Sequence, residues 1–150
     1  MSSASVSEPL FIDTGAFFAY YNERDERHDT ARTVFQSIRG GDRAYSPLYT
    51  TRFVLSELTT LLLYKVDHAT ATRALEDIRD GSSFNIVRAD PPAFTAACDE
   101  FARYDDQAIT FVDHLTGILA AERDVTHIFA FDGDFRTLGF NVVPEDTPEP

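Results

Sequence analysis

Two aspartates of this chain directly follow short apolar runs that have the length of buried β-strands. Asp13 follows residues 10–12, and Asp132 follows residues 128–131. In open α/β sheets, ligands gather at the carboxyl ends of the strands, so a carboxylate at this position can take part in chemistry. For either residue alone there is a simpler explanation, because aspartate also caps helices and opens Asp-Gly turns.

Glu57 interrupts an apolar segment, FVLSELTTLLLY, that is predicted to be helical. Its neighbours at helical spacing are all apolar: Phe53, Val54, Leu61 and Tyr64. An isolated carboxylate on a buried face costs on the order of several kcal/mol unless it is paired or binds a metal. The pattern therefore predicts a functional Glu57, and the alternatives are a partly exposed side chain or an ion pair with Arg52.

Asp113 follows the apolar residues of ITFV and lies at the start of a predicted helix, FVDHLTGILAAER. The spacing from Thr110 to Asp113 is also that of a capping box, in which side chains satisfy the first amides of a helix. Capping and a role in chemistry therefore both stay open for Asp113.

The four acids Asp13, Glu57, Asp113 and Asp132 are more informative together, because all of them can converge on one rim of a sheet. Two carboxylates about 4 Å apart repel by roughly 4 kcal/mol at an effective dielectric constant of 20. A cluster of them therefore takes up protons or holds a divalent cation. Oxygen ligands without cysteine or clustered histidine favour Mg²⁺ or Mn²⁺ over zinc.

The other residues that commonly bind metals show no ligand spacing. We interpret the four histidines as surface or loop residues: His28, His68, His114 and His127. The single cysteine, Cys98, excludes an internal disulfide and fits a reducing compartment. We expect it to pack as a small apolar side chain.

Alternating strands and helices must position these acids. We predict strands at residues 10–12, 44–46, 84–87, 128–131 and 140–143. Helical patterns cover residues 15–22, 28–39, 50–65, 68–80, 91–104 and 111–124. The alternation, with continuously apolar strands, predicts an α/β sandwich in which a mostly parallel sheet is flanked by helices on both faces.

The length of 150 residues and an apolar share of 43% are those of one ordinary domain. We assign the domain to residues 9–143 and expect the Pro-, Ser- and acid-rich ends, 1–8 and 144–150, to be flexible. The sequence shows neither a signal-peptide pattern nor an apolar run long enough to span a bilayer. We therefore expect a soluble, cytoplasmic protein.

The net charge of −12 comes from 25 acidic and 13 basic residues, of which only Lys65 is a lysine. Such a surface repels phosphate and argues against general nucleic-acid coating. Two explanations of the excess of acids stay open. The acids can serve solubility, since the composition resembles that of proteins adapted to high salt, or some of them can form a cation site. The candidates for local phosphate contacts are arginines near the acids: Arg24, Arg27, Arg52 and Arg136.

The sequence resembles the PIN-domain ribonucleases, and within them the VapC-like toxins of type II toxin–antitoxin systems, over nearly the whole chain. The similarity runs through FIDTGAFFAYYNERDERHDTA, SELTTLL, ITFVDHLTGILAAE and FAFDGDF. In the family's order, these segments carry a strand-end Asp-Thr, a helical Glu, a Thr-x-x-Asp helix start and a strand-end Asp-x-Asp. Each motif alone is weak, but four in this order with fitting spacing are specific.

The resemblance implies a PIN-like three-layer sandwich whose four acids, named above, are catalytic and hold one or two Mg²⁺ or Mn²⁺ ions. Supporting roles are implied for three neighbours: Thr14, Thr110 and Asp134. The implied reaction is hydrolysis of RNA by water, which leaves a 5′-phosphate and a 3′-hydroxyl. VapC-like toxins are commonly homodimers held by an antitoxin, so we expect both partners. Two segments are candidate interfaces, residues 17–21 and 53–64.

Other functions compete with this one. An aspartic protease also uses Asp-Thr-Gly, as in residues 13–15, but retroviral-type proteases are small all-β dimers. Aspartate-nucleophile phosphatases need a second aspartate where this chain has Gly15. A catalytically silent PIN-like scaffold that acts as an interaction module stays open, as does a solitary RNA-processing nuclease.

Overall fold

A computed structural model describes residues 6–147, and its centre is a sheet of five parallel strands. The strands are β1 (Glu8–Ile12), β2 (Tyr45–Thr51), β3 (Phe84–Val87), β4 (His127–Phe129) and β5 (Asn141–Val143). Their order across the sheet is β3-β2-β1-β4-β5. Residues 10–12 of the central strand are completely buried, because helices cover both faces. The predicted parallel sheet is confirmed.

The helices of the described chain pack in two layers. They are α1 (Thr14–Tyr21), α2 (His28–Arg39), α3 (Arg52–Lys65), α4 (His68–Asp80), α5 (Pro91–Arg103), α6 (Phe111–Glu122) and α7 (Asp134–Thr137). Helices α1 to α4 share one hydrophobic core with Leu10 and Ile12 of β1. Helices α5 and α6 share the other core with Phe11, which points to the opposite face. The three-layer α/β sandwich is therefore as predicted.

Strand β1 is the point at which the chain reverses direction across the sheet. From β1 the chain adds β2 and β3 on one side, and it then places β4 on the other side. Phe11 pairs with Ile128 and Ile12 pairs with Phe129, so β1 and β4 end side by side. The crevice outside such a switch point is the usual ligand site of an open parallel sheet.

The predicted boundaries around β2 are wrong. The strand expected at residues 44–46 continues to Thr51, so α3 begins at Arg52 instead of residue 50. Pro47 argues against a central strand, because proline cannot donate to the ladder. The register between β1 and β2 shifts in this region, between the pairs of Glu8 and Leu10, and such an irregularity accommodates a proline.

Two smaller features also differ from the sequence expectation. Helix α7 was not predicted, because four residues are too few to show helical periodicity. Cys98 is exposed, so its predicted packing is wrong. Helix α5 buries Ala93 and Ala97, and the residue after Ala97 points away from the core.

The ends of the domain extend beyond the assigned boundaries. Glu8 is the first residue of β1, and its amide donates to the Ala44 carbonyl at 3.0 Å. Asp146 accepts hydrogen bonds from Arg136 Nε and the Val142 amide. Residues 1–5 and 148–150 lie outside the described part of the chain, so the flexibility expected there stays a prediction. Among residues 6–147, no helix combines the length and apolarity needed to cross a membrane.

Candidate metal centre

Asp13 lies at the crevice between β1 and β4 and is almost completely buried. Its amide donates to the Phe129 carbonyl at 3.0 Å, which continues the pairing of the two strands. The backbone of Asp13 is extended, and its Oδ2 caps α1 by accepting from the Gly15 amide at 3.4 Å. Oδ1 is buried and has no hydrogen-bond partner within the described residues. Capping therefore uses one carboxylate oxygen and leaves the other available for a ligand.

Asp113 is buried in the first turn of α6. Thr110 is the cap of this helix, and its Oγ1 accepts from the Asp113 amide at 3.1 Å. The hydroxyl of Thr110 also lowers the pKa of Asp113, because it stabilises the charged carboxylate. Thr110 therefore holds Asp113 in place while the carboxylate faces other acids.

Three carboxylates form a cluster at this crevice. Oxygen atoms of Asp113, Asp132 and Asp134 all lie within 4.8 Å of one another, and Asp13 is not a member of this group. The Asp134 amide donates to Asp132 Oδ1 at 3.0 Å, in the turn that leads from β4 into α7. Asp113 is buried, Asp134 is half-buried and Asp132 is exposed, so the cluster opens from the crevice to solvent.

Glu57 is half-buried and also lies outside the group of three. Its predicted position at the centre of a buried helix face is wrong. Helix α3 buries Val54, Leu55, Leu58 and Leu62, whereas Tyr64 is 82% exposed. Glu57 thus flanks the buried face. Its charge still raises the pKa of Asp113, so the two carboxyl groups interact, and we call the position of Glu57 the rim of the site.

Burial and repulsion between charges raise the pKa values of three acids at the crevice, Asp13, Asp113 and Asp134. Burial raises the pKa of Asp13 well above its ordinary value, and the charges of Asp113 and Asp132 raise it further. Burial raises the pKa of Asp113 to about 7, with additional repulsion from Asp132, Glu57 and Asp134. The pKa of Asp134 is raised by its burial and by Asp132. A divalent cation would offset the free energy needed to ionise all of these groups at once.

The donor atoms fit a hard divalent cation. They are carboxylate oxygens, which Mg²⁺ and Mn²⁺ prefer as ligands. Three buried oxygens have no partner within the described residues: Asp13 Oδ1, Thr14 Oγ1 and Thr116 Oγ1. A buried polar atom is normally satisfied by protein, water or an ion. Thr116 was not predicted as a site residue, although its position three residues after Asp113 puts both on one helix face.

His114 is completely buried, so the interpretation of all four histidines as surface or loop residues is wrong. Its Nδ1 lies 2.7 Å from Glu100 Oε1, and its ring packs 5.0 Å from the Tyr104 ring. The position inside helix α6, directly after Asp113, was the available indication of burial. His114 does not belong to the group of three acids, although it directly follows Asp113 in the chain.

A cavity of about 500 Å³ lies elsewhere, near the amino ends of β2 and β3. Its walls include Tyr20, Tyr45, Asp77 and Phe84. None of the acids at the crevice lines this cavity. We place the functional site at the crevice, because that is where carboxylates with raised pKa values meet at a switch point of the sheet.

Sequence comparison finds relatives of similar length. The chain is 29% identical over 137 residues to the 23S rRNA-specific endonuclease VapC20 of Mycobacterium tuberculosis, which covers 91% of this chain and 99% of the relative. It is 29% identical over 126 residues to a VapC ribonuclease of Archaeoglobus fulgidus, which covers 83% of this chain and 77% of the relative.

Solved structures share the fold. The crystal structure of Mycobacterium tuberculosis VapC20, a Sarcin-Ricin loop cleaving toxin, matches with a TM-score of 0.79 and 28% identity, covering 87% of this chain and 95% of VapC20. VapBC2 from Rickettsia felis and FitAcB from Neisseria gonorrhoeae each match with a TM-score of 0.63. Their sequence identities are 11% and 13%, so these matches support the fold alone. Each match covers 89% of this chain, together with 96% of the VapBC2 chain and 95% of the FitAcB chain.

The family described as the PIN domain matches residues 10–141. The match begins in β1 and ends in β5, so it spans the sheet and every acid of the crevice. This chain belongs to the PIN domain family.

Proposed function

We propose that this protein is a metal-dependent endoribonuclease that hydrolyses RNA phosphodiester bonds at the acidic crevice, and that it is the toxin of a toxin–antitoxin pair. The observation that carries the proposal is the meeting of Asp113, Asp132 and Asp134 within 4.8 Å, beside the unpartnered Oδ1 of Asp13. The similarity to a VapC endonuclease of 23S rRNA supports RNA as the substrate. Ribosomal RNA is therefore the first substrate to test.

The carboxylates of Asp13, Asp113, Asp132 and Asp134 would hold Mg²⁺ or Mn²⁺, with Glu57 at the rim. When bound, such a cation makes water a better nucleophile and offsets negative charge on the phosphate and on the leaving oxygen. The protein contributes the geometry of the site. The cap that Asp13 provides for α1, and the cap that Thr110 provides for the Asp113 amide, fix two acids at element ends, so the site needs little rearrangement when substrate binds.

The hydroxyl groups of Thr14 and Thr116 have the supporting role in this proposal. Both Oγ1 atoms are buried and unpartnered within the described chain. A hydroxyl can orient a carboxylate or a water molecule by a hydrogen bond, as partners behind metal ligands do. Thr110 acts differently, since its hydroxyl already holds the Asp113 amide.

We also propose an antitoxin and a second copy of this chain as partners. The structural likeness to VapBC2 and FitAcB makes such assemblies a natural comparison. The segment at residues 17–21 is a poor interface, because Phe17, Ala19 and Tyr21 are buried in the core. The end of α3 is a better one, because Leu63 and Tyr64 are exposed.

Cleavage of RNA by the wild type and by Asp13→Asn tests the nuclease proposal. Asparagine caps helices about as well as aspartate, so the variant keeps α1 while it loses a charged ligand. We expect the wild type to cut ribosomal RNA in Mn²⁺, to stop in EDTA, and to leave 5′-phosphate and 3′-hydroxyl ends. Asp13→Asn should cut at least about a hundredfold more slowly.

Asp124→Asn is the matched control. It makes the same change of charge at an exposed residue beyond the far end of α6, where a positive φ of 55° suits asparagine equally well. Its rate should equal that of the wild type. Equal cleavage by Asp13→Asn would contradict the proposal, and a lack of cleavage by every version would favour the silent scaffold.

A further inference from the structure

Two arginines lie side by side at the carboxyl edge of the sheet. In the pairing of β2 with β3, Thr51 lies opposite Val87. The next residues in each chain segment are Arg52 and Arg88, and both are exposed. Neighbouring strands are about 4.8 Å apart, so the side chains of both arginines start from adjacent points on the same edge of the sheet.

The order of charges along this edge changes sign at the crevice. In sheet order from β3 to β4, the residues that follow the strands include Arg88, Arg52, Asp13 and Asp132. The first residues after β3 and β2 are therefore cations, with the helix cap Asp90 close behind, whereas Asp13 and Asp132 lie on the β1–β4 side. In a chain with a net charge of −12, this is a local pair of positive charges beside the strand that carries Asp13. A polyanion that is attracted by a cation held at the acids, and that extends over β2 and β3, would meet both guanidinium groups.

The two arginines differ from another candidate for phosphate contact. Arg136 is held by Asp146 at 2.8 Å and by Glu145 at 3.0 Å, so its charge is already paired. Within the described residues, neither Arg52 nor Arg88 has an ion pair or a side-chain hydrogen bond. Their guanidinium groups are therefore available for a ligand, whereas Arg136 would have to give up two carboxylates.

A cluster of aromatic rings begins at the residue after Arg52, and one ring of the cluster, Phe94, is exposed. Phe53 follows Arg52 directly, and its ring lies 6.2 Å from that of Phe94 and 6.3 Å from that of Phe111. Phe94 is 42% exposed, and Phe111 lies two residues before Asp113. Aromatic rings beside cationic groups bind unpaired nucleotides, because bases outside a duplex can stack on them.

Resting on the proposed nuclease function, we propose that Arg52 and Arg88 bind phosphates of an unpaired RNA segment that flanks the cleaved bond, and that Phe94 stacks one of its bases. Arginine suits this task because its planar fork donates two parallel hydrogen bonds to a phosphate. The substrate is then RNA that is single-stranded on the β2–β3 side of the crevice. The two arginines bind substrate away from the reacting atoms, so they set KM and leave the chemical step to the acids.

The test compares the double variant Arg52→Gln/Arg88→Gln with Arg39→Gln/Arg79→Gln. The control makes the same change of charge at exposed arginines of the last turns of α2 and α4, which precede the amino ends of β2 and β3. The substrate is an unstructured RNA oligonucleotide in Mn²⁺. We expect KM to rise at least about tenfold in the first variant, with kcat within about twofold, because two charged hydrogen bonds are lost. The control should match the wild type.

Two further measurements separate phosphate binding from other effects. Each phosphate contact to a single strand contributes about −0.7 to the slope of log affinity against log salt, so the double variant should lose about 1.4 of that slope. Phe94→Ala should raise KM about tenfold for unpaired RNA and leave KM for a fully paired RNA unchanged.

The outcomes that would overturn the inference are distinct. Equal KM values of the double variant and its control would contradict the inference. A fall in kcat of the double variant at constant KM would contradict it as well. Dissociation of a dimer by the double variant, measured by sedimentation, would assign this surface to a second copy of the chain instead. If the wild type cuts no RNA, the nuclease proposal fails by itself. In that case the fluorescence anisotropy of labelled RNA in Ca²⁺ still tests whether the two arginines bind RNA. Equal RNA affinities of the double variant and its control would show that they do not.

Discussion

Asp113 and Asp132 come from different elements, the first turn of α6 and the turn after β4, yet their carboxylate oxygens lie within 4.8 Å of each other. The Asp113 amide donates to Thr110 Oγ1, and Asp132 Oδ1 accepts from the Asp134 amide, so hydrogen bonds restrain both residues. Two charges at about this distance repel by about 3–4 kcal/mol at an effective dielectric constant of 20. The protein thus maintains a repulsion that a bound cation would relieve.

The first prediction is that removal of one charge stabilises the metal-free protein. Asp113→Asn keeps the shape of the side chain and removes its repulsion with Asp132 and Asp134. We expect the free energy of unfolding in EDTA to rise by about 1–2 kcal/mol, since solvent at exposed Asp132 screens part of the repulsion. Urea unfolding measures this change. Asp124→Asn should stay within about 0.5 kcal/mol of the wild type. A destabilised Asp113→Asn protein would contradict the repulsion argument.

The second prediction concerns pH. The pKa of Asp113 is about 7 in the folded protein, against an ordinary value of 3.8. Between these values the folded state binds the proton more tightly than the unfolded state, so stability falls as the pH rises. Asp13 contributes with the same sign, because its pKa is also raised. In EDTA, the urea midpoint should therefore be higher at pH 5 than at pH 7.5.

Asp113→Asn supplies the control for the pH dependence. With the titrating carboxyl removed, the difference between the urea midpoints at pH 5 and pH 7.5 should shrink. Saturating Mn²⁺ should reduce the difference in the wild type as well, because the cation binds the ionised carboxylates and displaces protons. A midpoint that rises between pH 5 and pH 7.5 in EDTA would refute the raised pKa values.

The third prediction distinguishes the rim of the site from its centre. Glu57 lies outside the group of three carboxylates, whereas Asp134 is a member. Mn²⁺ at a hundred times its Kd should stabilise the wild type by about 2.7 kcal/mol. We expect Asp134→Asn to lose most of this stabilisation. Glu57→Gln should retain most of it and slow RNA cleavage about tenfold. Thermal unfolding with and without Mn²⁺ distinguishes the two variants. A larger loss of Mn²⁺ stabilisation in Glu57→Gln than in Asp134→Asn would put Glu57 at the centre of the site.

The fourth prediction is a structural role for His114. The ring is completely buried, and Nδ1 lies 2.7 Å from Glu100 Oε1. His114→Ala would leave a cavity and an unpaired polar partner, so the free energy of unfolding should fall by about 2–4 kcal/mol. His68→Ala, at an exposed residue of α4, should change it by less than about 0.5 kcal/mol. Equal effects in urea unfolding would show that the buried contact contributes little.

The sequence predicts the sheet and the helices well where the hydrophobic pattern is continuous. Residues 10–12 are apolar without interruption because both faces of β1 are covered, and this pattern identifies a central strand. Strand β2 is harder to delimit, because Pro47 interrupts the pattern of a central strand. Its extent is decided by pairing with β1 and β3, which local sequence does not encode.

The site is predictable only in part for the same reason. The strand ends at Asp13 and Asp132 and the helix start at Asp113 are local features, so the sequence indicates them. Distances between the acids depend on tertiary packing, which brings Asp134 into the close group and leaves Glu57 at the rim. The burial of α3 residues also depends on its neighbours, and it turns Tyr64 to solvent.

The most direct test of the central claim is the anomalous diffraction of a crystal soaked in Mn²⁺ near pH 7.5. We expect one strong peak bounded by carboxylate oxygens of Asp113, Asp132 and Asp134, with Oδ1 of Asp13 in reach directly or through water, and no peak in Asp132→Asn. A saturated crystal without a peak at this crevice, or with Mn²⁺ bound only elsewhere, would contradict the account.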